Sequence, residues 1–359
     1  MIDLPWRLKR RAVAAGWVMA AGLLIGCDNF APAPVDFSFD DVVTVGEVAT
    51  LDIRGTLVSS LPQAAPDVDT DRAELGRLLF WDPLLSGNRD TACATCHLPS
   101  MAYSDGLPRS IGTGGSGRGE NREANGVMPV SRNAQHVVNA IWNGINEVGV
   151  FDPQQAPMFW DNRKQGLRQQ AIEPLLAGLE MRGESFTEET ILPEILARLN
   201  NNTEYRELFQ QTYDVATIDT TVLADALASF QSSLIAAQTP FDRWMRGDAT
   251  AMTTQQVSGM QEFVIAGCAE CHSGPLFSDF ELHVLGSPEA EGLAEADVGD
   301  GNFGFRTPSL RQLRFTAPYF HGGQFASLAA VLDFYDEPED HFLPNSQSTL
   351  NSLFQIFRP

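Results

Sequence analysis

The chain has 359 residues, 24 basic and 46 acidic, giving a formal charge of −22. Its length allows two domains and a sizeable core, and its charge argues against nucleic acid or an anionic membrane surface as a partner. The five cysteines, Cys27, Cys93, Cys96, Cys268 and Cys271, all take other assignments below, so no disulfide framework is expected.

Arg7, Lys9, Arg10 and Arg11 make a basic start, followed by an apolar run from Ala12 to Gly26. An ordinary membrane span needs roughly 20 residues, which this run lacks. It ends in Leu24-Ile25-Gly26-Cys27, which resembles a bacterial lipobox. Residues 1–27 therefore read as a lipoprotein signal peptide, with Cys27 lipidated and first in the mature chain. A plain signal peptide and a short signal anchor are the alternatives. All three place the folded part outside the cytoplasm, with the membrane reached only through the anchor. Removing residues 1–26 takes away four basic residues and one acidic, leaving 20 against 45. Such a surface steers a basic protein partner, or serves solubility alone.

Residues 28–66 read as a flexible tether punctuated by Ala31-Pro32-Ala33-Pro34 and Leu61-Pro62. Val42 to Ile53 has enough β character for a short strand pair. Order is expected near Thr70, with an amphipathic helix over Ala73–Phe80 that stops before Pro83.

Cys93-Ala94-Thr95-Cys96-His97 comes next, and Cys268-Ala269-Glu270-Cys271-His272 repeats it. Two thiols three residues apart on a helical turn reach the two vinyl groups of one porphyrin. The adjacent histidine then gives the iron its proximal imidazole. Zinc and thiol redox sites also use Cys-x-x-Cys, but neither needs that histidine in both copies. The glycines at 112, 114, 115, 117 and 119 lack the Gly-Lys-Ser/Thr ending of a phosphate loop and read as a flexible loop. From Gln165 the pattern is helical, with helices expected over Lys164–Ile172, Thr187–Leu199, Thr203–Tyr213 and Thr221–Ala236. Thr253 and Gln256 form a capping box for a helix running to Gly267, which delivers the second motif. Leu328, Val331, Leu332 and Tyr335 share one face of a helix begun at Ser327. The fold class is mainly α, with two cytochrome c-like haem domains, loop-rich connections and little β. The first domain spans 67–236 and carries an insertion; the second spans 237–359.

The chain resembles the bacterial di-haem cytochrome c peroxidases, including their MauG-like branch. The matching segments are Glu74 to Phe80, both haem motifs, Phe159-Trp160-Asp161, Gln170 to Met181, Pro240-Phe241-Asp242-Arg243, Phe305 to Arg311, and Thr316 to His321. The resemblance implies a peroxide-reacting haem held by Cys93, Cys96 and proximal His97, and an electron-transfer haem held by Cys268, Cys271 and proximal His272. It implies Glu180 as the group serving peroxide cleavage, Gln170 and Pro174 as pocket residues, and Trp160 as an indole between the haems. It also implies a calcium ion bound by Asn133 and the carbonyls of Thr316 and Pro318. The family's axial residue falls 14 positions after His321, at Tyr335, where MauG-like members have tyrosine and ordinary peroxidases methionine.

Elementary chemistry supports these roles. Peroxide cleavage needs a proton moved from the inner to the outer oxygen, and a carboxylate near an open iron face can move it. Calcium prefers oxygen ligands. Read without the family, Trp160 is a core residue, Glu180 a solvated helix end and Asn133 a turn residue. Two departures stand out. Many relatives have a histidine soon after the first motif that caps the resting iron, whereas Ser110 to Gly115 has none, and His136 is the only nearby candidate. The family also continues past the Tyr335 region into a further helix, for which the residues up to Pro359 leave little length. The expected activity is reduction of hydrogen peroxide with electrons from a small periplasmic donor, a cytochrome c or a cupredoxin. The alternative is MauG-like oxidation of a side chain on a partner protein. A pure electron carrier is disfavoured, because Glu180 and the missing cap suit an open iron. The resemblance leaves a homodimer open.

Overall fold

The computed structural model describes residues 57–64, 66–293 and 295–336. The leader with Cys27, the Val42–Ile53 strand pair and the stretch after Asp336 lie outside the described residues. The helices are α1 (Thr70–Trp81), α2 (Cys93–Cys96), α3 (Gly166–Leu176), α4 (Glu188–Asn201), α5 (Thr203–Tyr213), α6 (Thr220–Ser233), α7 (Pro240–Met245), α8 (Thr254–Ile265) and α9 (Leu328–Asp336). Strand content is small, as expected. Strand β1 (Pro157–Met158) pairs antiparallel with β2 (Lys164–Gln165), and β3 (Leu282–His283) pairs antiparallel with β4 (Phe305–Arg306). No helix among the described residues is long and apolar enough to cross a membrane.

The helix ends follow local chemistry. Asp69 accepts from the backbone N–H groups of Asp71 and Arg72 at the start of α1, and Asp219 does the same for Thr221 and Val222 at α6. The Thr253/Gln256 capping box forms in both directions at α8. Helix α3 differs from expectation. It begins at Gly166, because Lys164 and Gln165 are used in β2, and it runs through Pro174 to Leu176. Pro174 has no N–H to donate, so the carbonyl four residues back, that of Gln170, loses its helical partner.

The main core joins Leu75 and Leu79 of α1, Leu175 of α3, Ile191, Ile195 and Leu199 of α4, Phe209 of α5, and Leu223, Leu227 and Phe230 of α6. Each is the apolar face that helical spacing gives it, and each contributes about 1.5–3 kcal/mol on burial. Helices α1 and α6 cross so closely that a Cβ on Gly76 would lie 1.9 Å from the Ala226 carbonyl oxygen.

A second cluster holds Leu61, Trp142, Ile145, Ala237, Leu276 and Phe280. Val58 and Leu61 are fully buried, Leu61 N–H donates to Asp242 Oδ1 (3.0 Å), and Gly274 N–H donates to the Leu57 carbonyl (2.7 Å). The C-terminal end of the expected tether is therefore packed structure, and order starts well before Thr70. The glycine-rich loop also departs from the flexible reading. Arg122 ties it down, donating to the carbonyls of Ile111, Gly112 and Gly117 and to Thr91 Oγ1.

Candidate functional site: two haem motifs on one cavity

The first motif forms the single turn α2. His97 ends it, with its N–H on the Cys93 carbonyl (3.0 Å). The chain then folds into a tight turn in which Leu98 N–H donates to the Ser104 carbonyl and Tyr103 N–H to the Leu98 carbonyl. Ala102 and Tyr103 both take positive φ, +50° and +63°, a region that side chains disfavour. This turns the Tyr103 carbonyl onto the histidine ring, where it accepts from His97 Nδ1 at 2.7 Å. The proton is thereby fixed on Nδ1, and Nε2 is left as the metal-binding nitrogen. The second motif repeats the device with different residues. His272 N–H donates to the Cys268 carbonyl, and His272 Nδ1 donates at 2.9 Å to the carbonyl of Phe277, whose φ is +54°. Neither orienting residue was visible in the sequence, because the group that acts is a main-chain carbonyl.

All four described cysteines are free of disulfides. Burial lowers the pKa of both histidines, His97 and His272, and keeps them in the neutral form that ligates a metal. Burial raises the Cys93 thiol to about 12 and raises Cys96 as well, so neither is a reactive thiolate.

Both motifs line one cavity of about 2430 Å³. A site for a drug-sized ligand is about 300–1,000 Å³, so this one has room for more than one large group. Trp160, Gln170, Pro174, Glu180, Asn133, Thr316, Pro318, Tyr335 and His136 line it too. The structure therefore gathers every candidate residue within its described part.

Glu180 sits on a π-helical turn, Gly178–Arg182, directly after α3. Such turns recur at functional sites. Arg182 fastens the turn through Nε to the Leu176 carbonyl (2.8 Å) and through Nη1 to the Phe186 carbonyl. The Glu180 carbonyl accepts from Thr113 N–H (2.8 Å), and a Cβ on Gly112 would lie 1.9 Å from the Leu179 carbonyl oxygen. Gly112 is thus needed for close approach, and the glycine-rich loop forms the outer support of the Glu180 turn. Burial raises the Glu180 carboxyl above the usual range, opposed by Arg163 and assisted by Glu173. Gln170 Oε1 is buried without a hydrogen-bond partner.

Trp160 is held at both ends. Its Nε1 donates to the Asn133 carbonyl (3.0 Å) and its own carbonyl accepts from Arg306 N–H (2.6 Å). Asn133 N–H donates to the His321 carbonyl (2.6 Å), which brings Asn133 beside the Thr316–His321 segment. The Asn133 side-chain amide donates to the Leu107 carbonyl through Nδ2, and no hydrogen bond to Oδ1 is made among the described residues.

Ser327 caps α9 by accepting from Ala330 N–H (3.2 Å). The face carrying Leu328, Val331, Leu332 and Tyr335 turns to the cavity. Leu332 is 64% exposed there, an apolar side chain with cavity rather than protein against it. Burial, together with Cys271 and Cys268, raises the Tyr335 phenol. Tyr335 therefore stands beside the second motif.

The residues fit haem on these grounds: paired free thiols, histidines with Nε2 presented, apolar walls and a large shared cavity. A site of this kind defines a c-type cytochrome with two haems. The chain belongs to the di-haem cytochrome c peroxidase family, whose model matches residues 70–250. It is 32% identical to the methylamine utilization protein MauG of Methylorubrum extorquens, over 90% of this chain and 84% of that one. It is 32% identical to the cytochrome c peroxidase Ccp of Escherichia coli, over 77% of this chain and 55% of that one. Among solved structures it resembles the di-haem peroxidase BthA of Burkholderia thailandensis in fold, with a TM-score of 0.64, 19% identity, and coverage of 82% of this chain and 81% of that one. The protein is an oxidoreductase with two covalent haem c groups. It acts on hydrogen peroxide and takes electrons from a donor or from a protein substrate. The family is periplasmic or secreted.

Proposed function

We propose that peroxide reacts at the haem of Cys93, Cys96 and His97, with Glu180 as its acid–base group, and that electrons arrive through the haem of Cys268, Cys271 and His272. The observation that carries this reading is Glu180 on a braced turn of the cavity that also holds the first motif. Haem iron with an open face supplies the place where peroxide binds and its O–O bond is reduced. Glu180 takes the proton of the inner oxygen and returns it to the outer one, so that two electrons and two further protons complete two waters. Gln170 and Pro174 shape the pocket around that transfer. Trp160, fixed at both ends, stands between the haems as the relay. Tyr335 would hold the iron of the second haem through its phenol oxygen.

In this reading the haem domains divide near residue 236. Asn133 Oδ1 and the carbonyls of Thr316 and Pro318 hold calcium, and Cys27 carries a lipid that keeps the enzyme on a membrane. A Cys27→Ser form that stays with the membrane fraction would count against the anchor. The donor is a small periplasmic cytochrome c or cupredoxin. A MauG-like oxidation of a partner protein is the second reading, favoured by tyrosine rather than methionine at position 335.

No histidine occurs between residues 98 and 135 to cap the first haem. The diferric enzyme should therefore react with peroxide before any reduction. Stopped-flow mixing tests this, and a resting enzyme that stays inert until given an electron would show a cap, with His136 the first suspect. Glu180→Gln should slow the reaction by about 10²–10⁴-fold. In the parent enzyme the rate should fall as pH drops through the raised Glu180 pKa, because a protonated carboxyl cannot accept the peroxide proton. That acid limb should lie above the ordinary glutamate value of about 4.3 and vanish in the variant.

A further inference from the structure

Arg306 lies on β4 and is 4% exposed. Its Nε donates to the Phe159 carbonyl (2.9 Å) and its Nη2 to Gln135 Oε1 (3.1 Å), while its backbone N–H holds Trp160. Nη1 has no hydrogen-bond partner among the described residues, and no carboxylate pairs with the guanidinium. Asp161 acts on it only at longer range and is already bonded to Arg132 and Arg163. Buried arginines are ordinarily paired, since an unpaired buried charge is costly. Of the other buried arginines, one is paired with a carboxylate and one has its donors taken by neutral acceptors. Arg311 has Asp242, and Arg122 has its donors spread over three carbonyls and a hydroxyl. Arg306 alone among these three lines the haem cavity. Burial, little offset by Asp161, pulls its pKa down to about 10, so it remains a cation at neutral pH.

His136 lines the same cavity and interacts electrostatically with Arg306. Burial first, and Arg306 second, lower its pKa to about 4. A neutral imidazole there adds no second charge. The wall therefore presents Arg306 as a buried cation without a carboxylate partner to a cavity that fits groups carrying two carboxylates each.

We propose that Arg306 binds a haem propionate at the junction of the two haem motifs, and through its bonds to Phe159 and Trp160 fixes the bridging indole relative to that haem. The inference rests on the two-haem assignment and not on the roles given to Glu180 or Tyr335. A guanidinium fork is suited to a carboxylate. It also stabilises the reduced, more electron-rich haem beside it.

The test compares the parent with Arg306→Gln and Arg306→Lys, after a pyridine haemochrome count confirms two haems per chain in each. Spectroelectrochemical titration should show a lower potential for at least one haem in Arg306→Gln and near-parental potentials in Arg306→Lys. The resonance Raman propionate-bending band should move in both variants, because lysine offers a point charge in place of a fork. If Arg306→Gln does not fold, the Arg306→Lys band decides alone. Unmoved propionate bands in a correctly loaded variant would overturn the proposal. A count below two haems in the parent would instead remove the assignment beneath it.

Discussion

As the proposed ligand of the second haem, Tyr335 would let one side chain set the character of that haem. Its helix face points at the cavity beside Cys268 and Cys271, and no methionine follows Met260 in the sequence. A phenolate oxygen favours ferric iron, whereas a thioether raises the potential. With tyrosinate bound, the second haem should have a low potential and a resting spectrum that depends on the phenol oxygen. Tyr335→Phe removes one atom and leaves the ring packing against Phe334 and Phe320 in place. Potentiometry and electron paramagnetic resonance of the resting state should both change. A variant identical to its parent in both would leave Tyr335 as a buried core residue. The same one-atom logic separates Glu180 from its neighbours: the helix-end reading made it solvated, whereas the structure gives it a braced turn on the cavity wall.

At the scale of elements, the second haem loop is held by a buried ion pair. Arg311 meets Asp242 through two bonds, Nη1 to Oδ2 (2.8 Å) and Nη2 to Oδ1 (2.9 Å), and Arg311 Nε and Nη2 also donate to the Pro275 carbonyl. Asp242 further accepts from Leu61 N–H and Thr239 Oγ1. One carboxylate thus joins α7, the post-motif loop and the packed end of the expected tether. Breaking a buried pair by removing one partner costs about 3–5 kcal/mol. Asp242→Asn should therefore lower the thermal midpoint by several degrees, measured by circular dichroism, and loosen the second haem before the first. An unchanged midpoint would mean that the pair is replaceable. Burial pulls the Asp242 pKa up, but the Arg311 bonds outweigh it and the net shift is down. This stabilisation is present above the ordinary aspartate range and lost as pH falls through the lowered value. The calcium proposal belongs to this scale as well, because Asn133 N–H donates to the His321 carbonyl at the end of the Thr316–His321 segment. Metal analysis should find one calcium per chain, and chelation should shift the haem spectra; no bound calcium would end it. Helix positions, caps and the shared α9 face were legible in the sequence, because apolar spacing and capping residues are local signals. The Asp242–Arg311 pair was half legible, as both residues stand in the segments that carried the family resemblance. The burial of Val58 and Leu61 was not, since short apolar residues among prolines look the same in a tether and in a packed strap. The Tyr103 and Phe277 carbonyls left no trace at all, because any residue has a carbonyl and only the backbone turn aims it.

For the whole molecule, charge is the property that reaches furthest. Without residues 1–26 the chain has 20 basic and 45 acidic residues. A field of that sign acts at distances where no single contact does, and it favours encounter with a basic partner. Screening sets its range: the Debye length falls from about 30 Å at 0.01 M salt to about 8 Å at 0.15 M. If the donor is a basic cytochrome, the bimolecular rate of peroxide turnover should fall steeply over that interval. With an acidic donor of the same potential it should start low and rise. The chemical step proposed at Glu180 lies inside the cavity and should not share this dependence, so a single-turnover reaction with peroxide alone serves as the internal control. Steady-state assays with paired basic and acidic donors across salt concentrations make the comparison. A rate that ignores ionic strength for both donors would assign the acidic surface to solubility alone, and would leave donor choice to local contacts around the second haem.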